Sequence, residues 1–165
     1  MALFLKEATL EDKQIIDNLN QYYTYDMSKP CGWKIPACGR FDVLDLGWYW
    51  TEPNRHPFLI MLDKELVGFV LINKVGTCKA VDWNVGEFFV LGKFQGKGIG
   101  KEIAFQIFNK FKGIWEVAQM PDNLPAIAFW NKVIKNYTDD HFESFKTIID
   151  GPKPYPMNIL RFRSR

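Results

Sequence analysis

The chain has 165 residues, with 21 Lys and Arg against 19 Asp and Glu and a formal net charge of +2. That length suits a single domain over 1–165 with a substantial core, and so balanced a charge gives no expectation of nucleic-acid binding. No apolar run approaches the ~18 residues of a membrane span, and no charged segment followed by an apolar one opens the chain, so a soluble cytoplasmic protein with no membrane partner is expected. Aromatic residues make up 16%, among them six Trp and fourteen Phe. They can build a core or line a small-molecule pocket.

In chain order, a first strand is expected at Leu3 to Glu7, then Thr9 as an N-cap with Glu11 and Asp12 in the first turn of a helix. Ile15, Ile16, Leu19, Tyr22 and Tyr23 recur at helical spacing, and the helix is expected to end before Pro30. Lys29 to Arg40 mixes Pro, Gly and Cys and reads as a loop, with a short helix possible from Phe41 to Tyr49. Phe58 to Leu62 and Leu66 to Asn73, separated by Asp63-Lys64-Glu65, predict a hairpin. A further strand is expected from Ala80 to Leu91, followed by a glycine turn and a helix with Ile99, Ile103, Ile107 and Phe111 on one face. A strand at Ile114 to Gln119 and a helix at Leu124 to Asn136 come next, which implies a parallel strand pairing there. Phe142 to Ile149 and Met157 to Phe162 flank a proline-rich connection and predict two antiparallel strands.

Cys31, Cys38 and Cys78 lack CxxC spacing or a paired His motif, and His56 and His141 stand apart from them, so reduced thiols and no metal site are expected.

The strongest chemical signal is Glu87-Phe88-Phe89-Val90-Leu91-Gly92-Lys93-Phe94-Gln95-Gly96-Lys97-Gly98-Ile99-Gly100-Lys101, which reads as a strand, a turn and a glycine-rich helix start. Glycines permit positive φ and close approach, so successive N–H groups can converge on one anion. The helix that follows favours negative charge at its N-terminus, and Lys97 and Lys101 strengthen that field. A Walker A loop needs four residues between its first Gly and Gly-Lys, then Ser or Thr, whereas Gly92 to Gly96 encloses three and Gly98 follows Lys97. The dinucleotide fingerprint fails as well, because Ile103 stands where a third glycine or alanine is required after Gly98 and Gly100. A glycine-rich turn without a ligand is the bland alternative.

Gln95-Gly96-Lys97-Gly98-Ile99-Gly100 resembles the Q/R-x-x-G-x-G/A motif of the GNAT superfamily of acyl-CoA-dependent N-acyltransferases. Trp115 to Asn123, followed by Ala126, Phe129 and Trp130, is similar to that family's next strand and its N-x-x-A-x-x-F-Y segment. The resemblance implies an α/β (α+β) fold with a mixed, mostly antiparallel central sheet, splayed between two central parallel strands and carrying helices on both faces. It also implies acetyl-CoA as acyl donor, with CoA as product, and an amine of a small molecule or peptide as acceptor; a homodimer is a possible assembly. The pyrophosphate would be received by the amides of Gln95 to Gly100, and the pantetheine arm would pair with backbone at Phe89, Val90 and Leu91. Asn123 matches the family's asparagine beside the cofactor, or serves as a turn residue after Pro121-Asp122.

An amine must lose a proton to become nucleophilic. Alternation along the strand puts Glu87 on the face of Trp83 and Phe89, among apolar neighbours that raise a carboxyl pKa. It is the candidate base; orienting a cationic amine or forming a salt bridge are its other roles. Where the family usually carries Tyr, Trp130 stands, and an indole N–H cannot supply a proton at neutral pH. Either the thiolate leaves without a general acid or a residue such as Tyr137 substitutes. A weakly active acyl-CoA sensor is the alternative to an enzyme. Tyr22, Tyr25 and Asp26, with Trp48 and Trp50, fall in the segment that walls the acceptor side in the family, and aromatic faces with a carboxylate suit a cationic amine; core or rim packing is the other role.

Overall fold

A computed structural model describes residues 1–77 and 79–165; Cys78 lies outside the described residues. The strands are β1 (Leu3–Glu7), β2 (His56–Leu62), β3 (Glu65–Asn73), β4 (Trp83–Val90), β5 (Ile114–Gln119), β6 (Glu143–Ile149) and β7 (Tyr155–Arg163). The helices are α1 (Lys13–Cys31), α2 (Trp48–Thr51), α3 (Ile99–Lys110) and α4 (Leu124–Thr138). Among the described residues no helix is long and apolar enough to cross a membrane. The strands form one mixed sheet in the order β1-β2-β3-β4-β5-β7-β6. β1–β2, β2–β3, β5–β7 and β6–β7 are antiparallel, and β4–β5 is the parallel pair expected from the strand, helix, strand succession.

The chain forms two compact units, Met1–Ile72 with Gly86–Ile103, and Asn73–Val85 with Ala104–Arg165. β4 is shared between them. Trp83 to Val85 pair with Trp115 to Val117 in the second unit, and Gly86 to Val90 belong to the first.

In the first unit Ile16 and Leu19 of α1 pack with Leu59, Phe69, Leu71 and Phe89 in one core. Each such buried side chain contributes about 1.5–3 kcal/mol. The entry to α1 is tied down by Asp12, whose Oδ2 accepts the Thr9 N–H at 3.0 Å and whose Oδ1 accepts Lys6 Nζ at 2.9 Å. Lys6 and the Thr9 amide hold its carboxyl below the usual range. A single 3₁₀ turn, Leu10–Asp12, precedes α1, so the helix starts later than Thr9 alone predicts.

α1 does not stop before Pro30. It runs to Cys31 and ends on Gly32, whose φ of 70° supplies the left-handed cap and whose N–H bonds to Ser28 O. In the last turn the missing Pro30 N–H forfeits one hydrogen bond, which the helix tolerates. Nor does Phe41 to Tyr49 form a helix; only Trp48–Thr51 does. The reason lies in α1: Gln21 brackets Phe41, donating to its carbonyl at 2.9 Å and accepting its N–H at 3.0 Å, and Asn20 donates to Leu44 O at 3.3 Å. Backbone groups that a helix would pair are taken by side chains.

The β2–β3 register shifts between Ile60 and Met61, so Ile60 faces Gly68 while Met61 faces Leu66. This bulge sits where Gly68 meets β4. A Cβ on Gly68 would lie 1.9 Å from Phe89 O, and Leu91 N–H donates to Val67 O at 2.8 Å. The missing side chain is what lets the two backbones approach.

The second unit packs Phe108 edge-on against Trp115, with centroids 5.1 Å apart, and against Phe162 at 4.8 Å. Trp130, Val133, Ile134 and Tyr137 form the buried stripe of α4. Glu116, fully buried, accepts Arg161 Nη1 at 3.0 Å and both the N–H and hydroxyl of Thr77 at 2.9 Å.

Candidate active site

Within the first unit, β4, the turn after it and the start of α3 assemble most of the residues singled out in the sequence. After Val90 a 3₁₀ turn, Gly92–Phe94, buries Phe94 and brings the chain to Gln95. Gly96 and Gly98 then take φ of 72° and 80°, in the left-handed region, and nothing lies within 4 Å of where a Cβ on either would sit. The first helical bond of α3 runs from Glu102 N–H to Gly98 O at 3.1 Å. The N–H groups of Ile99 and Gly100 precede it. Lys97 and Lys101 are exposed beside them. Open glycine backbone, helix N-terminus and two ammonium groups fit an anion such as a diphosphate.

Gln95 departs from the expected run of amides. Its own N–H donates to Gly92 O at 3.2 Å, so the available amides begin at Gly96. Its side chain is engaged too: Nε2 donates to Val90 O at 2.7 Å and to Asp26 Oδ2 at 2.8 Å. With Leu91 N–H bonded to Val67 O, two of the backbone groups expected to meet a pantetheine arm already have internal partners.

Glu87 is half-buried, and burial raises its carboxyl pKa; the Tyr23 hydroxyl partly offsets that by favouring the carboxylate. Burial, then the negative charge of Glu87, pushes the Tyr23 pKa up strongly, so the hydroxyl keeps its proton and serves as a donor. The Tyr23 ring lies 5.6 Å from that of Phe89 and 5.8 Å from that of Phe69. Sequence periodicity assigned Tyr23 to the buried stripe of α1 and missed its polar end.

Tyr22, Tyr25 and Asp26 share one face of α1 at i, i+3, i+4 spacing, and the two rings are 59% and 67% exposed. Trp48 and Trp50 instead line an open groove of about 390 Å³ with Leu10, Lys13 and Asp45. Arg55 already lies over the Trp48 ring and Lys13 over the Trp50 ring, both at 5.8 Å.

In the second unit Asn123 caps α4, its Oδ1 accepting Ala126 N–H at 3.3 Å. The sequence offered a turn residue as the alternative to a cofactor contact; the N-cap on Ala126 is a role it did not foresee. Trp130 is 6% exposed, with its ring 4.9 Å from Phe129 and 6.4 Å from Phe108. Tyr137 donates to Asn109 Oδ1 at 2.9 Å and accepts Arg165 N–H at 3.3 Å, part-buried bonds that occupy the hydroxyl.

The family model described as Acetyltransferase (GNAT) family matches residues 16–134. No curated protein matches the sequence. Among solved structures, an acetyltransferase from Thermus thermophilus is 21% identical with a TM-score of 0.68, covering 99% of this chain and 97% of its own. The aminoglycoside acetyltransferase AAC(6')-Ib in complex with coenzyme A is 14% identical, with a TM-score of 0.67 and coverage of 98% and 95%. A GNAT acetyltransferase from Staphylococcus aureus Mu50 is 13% identical, with a TM-score of 0.61 and coverage of 99% and 100%.

Proposed function

Because this chain belongs to the acetyltransferase (GNAT) family and is an acyl-CoA-dependent acetyltransferase, we propose that it moves acetyl directly onto a primary amine of a small molecule or peptide, with Glu87 as the base. The observation that carries this reading is a half-buried carboxyl of raised pKa on the same β4-to-α3 stretch as an open glycine cradle. Acetyl-CoA supplies a thioester whose acyl carbon is open to an amine. Gly96 to Gly100, with Lys97 and Lys101, would hold its diphosphate. Glu87 takes the proton that the attacking ammonium must lose, directly or through a water, and its raised pKa strengthens it as a base. The Tyr23 hydroxyl keeps the carboxylate oriented. Trp130 cannot protonate the departing thiolate and the Tyr137 hydroxyl is engaged elsewhere, so the thiolate takes its proton from solvent.

Tyr22, Tyr25 and the second carboxylate oxygen of Asp26 offer aromatic faces and negative charge to a cationic acceptor. AAC(6')-Ib has also been solved with coenzyme A and kanamycin, which makes an aminoglycoside one sensible probe. The test is CoA thiol release over a panel containing spermidine, kanamycin, an amino-acid amide and a peptide N-terminus. At least one should stimulate release, and Glu87→Gln should lower kcat/KM for it by about 10²–10⁴-fold. Tight CoA binding without release on any amine would favour a sensor instead.

A further inference from the structure

We propose that Asp26 is a positioning residue for the acyl donor: from α1 it fixes the Gln95 carboxamide, which in turn holds the Val90 carbonyl at the edge of the glycine cradle. This rests on the acyl-CoA reading of that cradle. A carboxamide nitrogen carries two protons, and both are used here, one on Val90 O at 2.7 Å and one on Asp26 Oδ2 at 2.8 Å. With only the first bond the side chain could rotate and release the Val90 carbonyl. The second, to a carboxylate, sets the plane of the amide and is the stronger type. Gln95 immediately precedes Gly96, whose left-handed φ opens the cradle, so a fixed Gln95 presents the following amides in one arrangement before any anion arrives.

The sign of the effect separates this role from simple electrostatics. A carboxylate near an anion site opposes binding, so if Asp26 acted only through its charge, removing it would tighten CoA binding. As a latch, its removal weakens binding. Asn at the same position loses the charge and keeps an oxygen that can accept from Gln95 Nε2.

The experiment is calorimetric titration of the full chain with coenzyme A, for wild type, Asp26→Ala, Asp26→Asn, Gln95→Leu and the Asp26→Ala/Gln95→Leu double variant, each first shown by thermal melting to be folded. Asp26→Ala should bind about three- to tenfold more weakly, Asp26→Asn within about twofold of wild type. The double variant should bind no more weakly than Gln95→Leu alone. Unchanged or tighter binding by Asp26→Ala overturns the latch, as does an Asp26→Asn variant as weak as Asp26→Ala. If wild type binds no CoA, the acyl-donor reading falls and the latch with it; if wild type binds and Asp26→Ala matches it, the latch alone falls.

Discussion

Burial of Glu87 acts in opposite senses on rate and on stability. As a base it must be ionised, so the rate should fall as pH drops through its raised pKa. For stability, a folded-state pKa above the unfolded value means the native state binds the proton more tightly. The stabilising contribution is therefore full below the ordinary carboxyl value of 4.5 and is lost as pH rises through the folded pKa. Glu87→Gln, which is neutral throughout, should melt close to wild type in acid and increasingly above it as pH rises; a constant difference across the range would contradict the buried-charge account. Tyr23→Phe removes the donor that favours the carboxylate, so the acid limb of the rate profile should move to higher pH. A limb that stays in place in that variant would mean the hydroxyl has no hold on Glu87. The half-buried position of Glu87 was legible, because strand alternation with Phe89 is a local property. Its partner was not, since helical spacing reports that Tyr23 is buried and says nothing of what its oxygen meets.

At the level of elements, the turn from β4 to α3 was read correctly in outline and too generously in detail. Positive φ at Gly96 and Gly98 is demanded by a few consecutive residues, and Gly98→Trp should abolish CoA binding while the protein still folds, because nothing crowds that Cβ and the cost is the local strain of a side chain at positive φ, about 1–2 kcal/mol. Titration with CoA checks binding and circular dichroism checks the fold; retained affinity would contradict the cradle. The tertiary bond from Leu91 to Val67 and the turn that engages the Gln95 N–H lie outside what a motif shows. Gly68 is the converse case. Its Cβ would meet the Phe89 carbonyl at 1.9 Å, a backbone atom with little room to yield, so Gly68→Ala should cost at least about 1–3 kcal/mol in urea unfolding. A neutral result would show that β3 and β4 can part without penalty. α1 passed Pro30 for a related reason: the penalty of one proline in a last turn is small beside the buried contacts of the helix and the cap at Gly32.

At the scale of the whole molecule, stability rests partly on groups that join distant stretches of chain. Glu116 draws Thr77 and Arg161 together around a carboxylate with no exposed surface. Glu116→Ala should cost about 3–5 kcal/mol because it leaves the largely buried Arg161 guanidinium without its countercharge, with the Ala80 carbonyl as its one remaining partner among the described residues, and replacing both partners with Leu and Met should cost less than the single change. Denaturant midpoints for the single and the double variant against wild type decide it; a single-variant loss below about 1 kcal/mol would show the pair to be incidental. By itself the sequence determined the order of strands and helices, the parallel pair, the glycine turn between β4 and α3 and the class of donor. Each of those depends on periodicity or on backbone freedom within a short stretch. Only the tertiary structure decided that Tyr23 serves Glu87, that Asp26 and Val90 share the Gln95 carboxamide, and that Gly68 presses on Phe89. Those contacts join residues remote in sequence, and which side chains meet is set by strand register and helix docking, where a shift of one residue would turn every partner away.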